Sequence, residues 1–501
     1  MTADADLMVS SGIEGLDNIL RGGFPEKCLF LITGTPGTGK TTLAMQYLLD
    51  GVQRGERCLY VTLSESKSEI ARVARSHGWD ISGLDMTELV PSEQNLSPEA
   101  QLTVFNPSEF ELGETTQAMI TAVDKFRPQR LVVDSLSELR LIAQNALRYR
   151  RQVLALKQFF GGNDCTVLML DDRTGGVEDD HLQSIAHGVV LLEQLVNQYG
   201  AERRRLRVGK MRGVSFRGGY HDFAIRRGGL DVYPRLVASE HRTTFADQDV
   251  GSDNPQLDRL LGGGLPTGTS TLLLGPAGTG KSTIATQFAT AAARRGDRVA
   301  MFVFDENLGT LRSRSRKLGL PVEEGIEKGL ITVQQVDPAE LSSGEFAAIV
   351  RRAAEGHDSS GQKAKMIIVD SLNGYLNAMP EERFLTAQLH ELLSYLGQLG
   401  VVTILTVTQS GMVGHMASPV DTTYLADNVI LFRYFESRGS VHRAISVVKK
   451  RNGHHERTIR ELDMNADGVV IGEPLTDFHG ILTGIPTHQG QSDPAIKPRT
   501  A

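Results

Sequence analysis

Two short runs of the sequence have the residue types of a phosphate cradle. The first is Gly34, Thr35, Pro36, Gly37, Thr38, Gly39, Lys40 and Thr41, followed by Thr42; the second is Gly275, Pro276, Ala277, Gly278, Thr279, Gly280, Lys281 and Ser282, followed by Thr283. Both fit the spacing G-x-x-x-x-G-K-[ST], and each follows an apolar run and opens an amphipathic one, the strand-to-helix setting this motif requires. The glycines let the backbone curl until its N–H groups face phosphate oxygens, and the helix N-terminus adds positive potential at the same spot. In that arrangement Lys40 and Lys281 reach the β/γ-phosphates, and the hydroxyls of Thr41 and Ser282 ligate Mg²⁺. A single match can be a chance glycine-rich turn. Two matches at equivalent places make ATP with Mg²⁺ the expected ligand.

A magnesium-associated carboxylate belongs at the end of a neighbouring strand. Asp134 and Asp370 each close an apolar run, Leu131-Val132-Val133 and Ile367-Ile368-Val369. Aspartate after a strand also serves as a plain helix cap, but its paired occurrence favours the metal role. Hydrolysis further needs a carboxylate that orients or deprotonates the attacking water. The candidates are Glu65, preceded by Ser64, and the pair Asp305 and Glu306.

The elements that must carry these groups come twice. Lys40 and Lys281, Asp17 and Asp258, and Glu65 and Glu306 share a single offset in numbering, and Asp134 and Asp370 share nearly the same one. A period of roughly 240 residues is a duplicated domain and not a solenoid unit. Apolar runs at 29–32, 58–61, 131–133 and 167–170, and again at 271–274, 299–304, 366–369 and 401–407, read as buried strands of mostly parallel sheets. Stretches such as 41–54 and 386–399 carry the spacing of amphipathic helices between them. The fold class is α/β, two tandem P-loop NTPase domains with mostly parallel sheets. We place the first domain at 1–240 and the second at 241–486, with a short flexible tail at 487–501; Pro234 and the polar stretch 239–249 mark the junction.

Composition narrows the class further. Hydrophobic residues at 40% and charged residues at 23% suit a globular chain with sizeable cores. A net charge of -7 supplies no general attraction to nucleic acid or anionic membrane. No apolar run approaches the ~18 residues that would span a bilayer, and the acidic start lacks a signal peptide's basic residues. Cys28, Cys58 and Cys165 have no metal spacing and read as reduced thiols. These features point to a cytoplasmic protein that does not engage membranes. A DNA-translocating ATPase would need basic channel loops, and the densest candidate, Arg312, Arg314, Arg316 and Lys317, reads as a solvated helix face between Leu311 and Leu318. That rival, and a scaffold gated by nucleotide alone, remain the alternatives to a hydrolase.

The loops, the strand-end aspartates, the acids and the duplication together resemble the circadian clock ATPase KaiC family of the RecA superfamily. The resemblance covers nearly the whole chain and is most specific at 368–375, 338–346, Gly78-Trp79-Asp80 and Lys210-Met211-Arg212-Gly213. It implies RecA-like domains in a two-tier homohexamer with ATP between neighbouring subunits. The family's paired catalytic acids then fall on Ser64 and Glu65, and on Asp305 and Glu306. With serine in the first place, Glu65 serves alone or hydrolysis there is slow. The basic residues that reach a neighbour's γ-phosphate match Lys210 and Arg212, and Lys449 and Arg451. The family's second domain autophosphorylates adjacent Ser and Thr residues, which match Thr423 and Tyr424; tyrosine in the second place departs from the pattern. Residues 478–486 resemble the loop whose exposure activates that kinase, and a KaiB-like protein on the first domain is the implied partner.

Overall fold

The computed structural model describes residues 8–89, 107–143, 145–173, 180–196, 200–377, 385–409, 425–437, 439–483 and 487–488. The chain divides into two compact units that meet between Arg235 and Leu236. Each is built on a nine-stranded sheet.

The first unit's strands are β1 (Leu29–Gly34), β2 (Cys58–Thr62), β3 (Asp85–Glu88), β4 (Arg130–Asp134), β5 (Thr166–Asp172), β6 (Gly188–Leu195), β7 (Arg203–Met211), β8 (His221–Arg226) and β9 (Gly229–Tyr233). Their order is β9-β8-β7-β6-β1-β5-β4-β2-β3. The six from β6 to β3 are parallel, and β7, β8 and β9 form an antiparallel wing. The second unit repeats this strand for strand, with β10 (Ser270–Gly275), β11 (Val299–Val303), β12 (Ile331–Gln335), β13 (Met366–Asp370), β14 (Val402–Thr408), β15 (Asn428–Ser437), β16 (Ser440–Lys450), β17 (Arg460–Asn465) and β18 (Gly468–Pro474). Its order, β18-β17-β16-β15-β10-β14-β13-β11-β12, is the same topology.

Helices cover both faces of each sheet, and the period-two alternation of β1 shows how. Phe30 and Ile32 pack with Leu43, Ala44, Tyr47 and Leu48 of α1 (Lys40–Gln53), which follows the first loop; α2 (Lys67–His77) follows β2. Leu29 and Leu31 face the other way, onto Val153, Leu156 and Phe160 of α3 (Ala146–Gly162). In the second unit Leu273 packs with Ile284 and Phe288 of α4 (Lys281–Arg294), and α5 (Leu308–Lys317) follows β11. Leu272 and Leu274 meet Leu389, Leu392 and Leu396 of α6 (Leu385–Gln398) on the opposite face. A central strand sandwiched in this way must be apolar on both sides, which is why the parallel strands read as unbroken hydrophobic runs.

The echo around Asp17 and Asp258 is structural. Asp17 Oδ1 accepts a bond from Ser11 N at 2.7 Å, and Asp258 Oδ1 accepts one from Ser252 N at 2.8 Å, closing the turn ahead of each first helix. Among the described residues, no helix is long and apolar enough to cross a membrane.

Candidate active sites

Each phosphate loop connects the central strand to the helix beside it. In the first unit Gly39 is the N-cap of α1 at φ 97, a conformation glycine tolerates, and a Cβ there would come within 2.8 Å of Ile225 Cδ1. Thr38 Oγ1 closes the loop on Thr35 O at 2.8 Å. Lys40 is buried beneath it, donating to Gly34 O and Thr35 O, both at 3.0 Å, and pairing with Asp172 Oδ1 at 2.6 Å. Thr41 Oγ1 donates to Asp134 Oδ2 at 2.9 Å, and the Tyr60 hydroxyl donates to the same oxygen at 2.5 Å. Burial pushes the Asp134 carboxyl above its ordinary range, against the lowering effect of those two hydroxyls.

The second site repeats the plan with one difference at the lysine. Gly280 caps α4 at φ 104, Thr279 Oγ1 donates to Pro276 O at 2.8 Å, and Lys281 donates to Gly275 O at 2.9 Å and Pro276 O at 2.6 Å. Thr408, however, holds the place that Asp172 has in the first unit, because each pairs with the last residue of its central strand. Among the described residues no carboxylate ion-pairs with Lys281, and burial pushes its ammonium down to about 8, with the Asp370 charge opposing. Asp370 accepts from the Thr406 hydroxyl at 2.5 Å and from Ser282. In both units a loop hydroxyl and a buried carboxylate therefore share one spot, a donor set that fits Mg²⁺.

A pH dependence follows for the second loop. Bound phosphates hold Lys281 protonated. Below about pH 8 the ammonium already carries that proton, whereas above it binding must take one up. ATP affinity at this loop in Lys40→Ala protein should weaken above about pH 8, by up to about tenfold per pH unit. Calorimetric titration at about pH 7 and about pH 9 checks this, and equal affinities would contradict it.

The acids after the second strand differ between the units. Glu65 is tied by its backbone, its N donating to Thr62 Oγ1 at 3.0 Å while that hydroxyl donates to Glu65 O at 2.7 Å. Its Oε2 is buried and has no hydrogen-bond partner among the described residues. Burial lifts the Glu65 carboxyl above the usual range, and the charges of Asp134, Glu69 and Asp172 add to the lift. Asp305 accepts a hydrogen bond from Ser371 Oγ. Glu306 is held by Arg314, whose Nε and Nη2 lie 3.1 and 2.8 Å from the two carboxylate oxygens. Tyr60 and Asp172 escaped the sequence reading, and Arg314, read there as part of a solvated helix face, instead pairs with Glu306.

The basic pairs sit elsewhere. Lys210 pairs across the sheet with Val189, whose parallel partner is Leu31, whereas the loop begins at Gly34 beside Leu192. Lys449 likewise pairs with Val429 beside Leu272, away from Gly275. Both pairs thus lie at the end of the sheet opposite their own unit's loop. There Lys210 Nζ donates to Gln183 O at 2.7 Å and Ala186 O at 2.8 Å, and Arg212 Nη2 donates to Ser184 O at 3.0 Å. Lys449 Nζ donates to Ala426 O at 2.7 Å, and Arg451 pairs with Asp427 at 2.9 Å. Thr423 and Tyr424 lie outside the described residues.

Two RecA-like sheets, each with a phosphate loop and a strand-end carboxylate at the same edge, define a tandem P-loop ATPase. The family model for the KaiC ATPase matches the chain twice, over residues 9–237 and 251–476. The chain belongs to the KaiC family. It is 28% identical over 487 residues to the circadian clock oscillator protein KaiC of a Picosynechococcus species, covering 95% of this chain and 91% of that one. Against the protein of the same name from Synechococcus elongatus the identity is again 28%, with the same coverage. For circadian clock oscillator protein KaiC 1 of a Synechocystis species it is 27%.

Proposed function

We propose that the chain forms an ATP-dependent homohexamer, hydrolyses ATP at both loops and phosphorylates itself at Thr423 or Tyr424, acting in the cytoplasm as a signalling or timing protein. Its working modules are residues 1–240 and 241–486, and a KaiB-like protein docks on the first. The observation that carries this reading is the placement of the basic pairs. Lys210 and Arg212, and Lys449 and Arg451, lie at the far end of the sheet from their own loops, so they can complete a phosphate site only on a neighbour. A head-to-tail contact of this kind closes into a ring.

Bound Mg²⁺, held by Thr41 with Asp134 and by Ser282 with Asp370, would neutralise charge on the β- and γ-phosphates. The protein's own groups do the rest. Lys40 and Lys281 grip the phosphates, and Glu65 and Glu306 orient the attacking water. Ala426 and Asp427, which follow shortly after Thr423 and Tyr424 in sequence, are tied to Lys449 and Arg451. A hydroxyl delivered beside that pair would meet the neighbour's ATP, with Asp305 or Glu306 taking the proton as the oxygen–phosphorus bond forms and ADP departs.

Light scattering in saturating ATP with Mg²⁺ should give about six times the 54.6 kDa chain mass. Label from γ-phosphate should appear in the wild type and fall on Thr423→Ala. A strict monomer would overturn the ring, and unlabelled hexamers would leave hydrolysis alone.

A further inference from the structure

The duplicated fold allows the two sites to be compared residue by residue, and they differ most at the water-orienting glutamate. Glu306 makes a bidentate ion pair with Arg314, whose third nitrogen, Nη1, lies 3.3 Å from Thr283 Oγ1 on α4. Thr283 adjoins Ser282, so the guanidinium sits inside the second site and not on a solvated face; its charge also reaches Asp370. The α5 helix is fixed by its Asn307 cap and by buried Leu311 and Ser315. Val73 occupies the repeat-equivalent place on α2, and Glu65 keeps a buried oxygen without a partner among the described residues.

We propose that Arg314 is a positioning residue that withholds Glu306 from the attacking water and makes the second site the slower of the two hydrolytic centres. The inference rests on the reading that Glu65 and Glu306 orient the water. Both Glu306 oxygens already accept from the guanidinium, and a two-point, charge-assisted pair of this kind fixes the carboxylate's orientation and occupies oxygens that would otherwise accept from the attacking water. The pair is only 22% and 20% exposed, so solvent does not dissolve it as it would a surface ion pair. The guanidinium's hold on Thr283 further pins the carboxylate toward the α4 side. Slow hydrolysis keeps ATP in the second site longer, which suits a site whose γ-phosphate is meant for a side-chain hydroxyl.

The test uses full-length hexamers. In Glu65→Gln protein, which reports the second site, Arg314→Val should raise kcat roughly three- to tenfold with KM for ATP unchanged, by relief of a base whose full contribution is of order 10²–10⁴. Arg314→Lys, which keeps the charge but not the two-point grip, should fall between the parent and Arg314→Val. Reciprocally, in Glu306→Gln protein, Val73→Arg should lower first-site kcat by a similar factor. The Glu65→Gln/Glu306→Gln double variant should be nearly inactive; if it turns over normally, the reading of the acids fails. If it is inactive but Arg314→Val leaves kcat unchanged or lower, the Arg314 inference alone is overturned. Should Arg314→Val not fold, Val73→Arg decides: an unchanged first-site rate overturns the inference.

Discussion

Alanine in place of either loop lysine should leave one bound nucleotide per chain where the parent holds two, and alanine at both should leave none. Each loop stands in its own unit with its own carboxylate, so neither can stand in for the other. Losing one partner of a buried, hydrogen-bonded charge pair costs about 2–5 kcal/mol, roughly 30- to 5,000-fold in affinity. The two variants should not be equal. Lys40 pairs with Asp172 at 2.6 Å; without the lysine, that carboxylate faces the incoming phosphates uncompensated. The second unit has Thr408 there and carries no such penalty. Lys40→Ala should therefore lose more affinity than Lys281→Ala, and adding Asp172→Asn should restore part of the difference. Counting nucleotide per chain after equilibrium dialysis checks the stoichiometry, and two per chain in either single variant would refute two independent sites.

The parts of these sites that the sequence displayed are those whose spacing is local. A phosphate loop is eight consecutive residues, and its strand and helix lie on either side of it, so the motif carries its own context. The parallel strands were equally visible because burial on both faces leaves nearly every position apolar: every residue of β1 and β2 is buried. The antiparallel wing was largely hidden. In β17 buried positions are interspersed with half-buried and exposed ones, and a search for continuous apolar runs passes over that pattern. The edge strand β3, Asp85 to Glu88, has no buried residue at all.

Convergence across elements was harder still. Asp172 reaches Lys40 from β5, Tyr60 reaches Asp134 from β2, and Arg314 reaches Glu306 from the next helix. In sequence Arg314 is one of four basic residues on a helix, and only packing against α4 distinguishes it from Arg316 or Lys317. The duplication gave one usable signal. At repeat-equivalent places Val73 stands opposite Arg314, and a difference between otherwise matched sites marks where their chemistry diverges.

The same register that hides the basic pairs from their own loops yields the remaining large effect. In β7, Lys210 is level with Leu31, three residues short of Gly34 along β1. At about 3.3 Å per residue that is about 10 Å of strand, and both side chains of the pair turn to the carbonyls of residues 183–186 at that end. A charge supplied across an interface to a transferring phosphate is worth about 10³–10⁵ in rate. In Glu306→Gln protein, which reports the first site, rings carrying Lys210→Ala/Arg212→Ala should bind ATP yet lose most of that turnover. Rings carrying Glu65→Gln should be equally slow for a different reason. Mixed in equal amounts and allowed to exchange subunits, the two should regain activity. An intact acid then meets a neighbour's intact basic pair at about one interface in four, because the contact is head-to-tail. Loss of the carbonyl contacts alone would damage the subunit that carries the substitution and would not be mended by a neighbour. Recovery to about a quarter of the parent rate therefore separates action across the interface from local unfolding. Mixed rings no faster than either parent variant would refute the trans-acting role of Lys210 and Arg212.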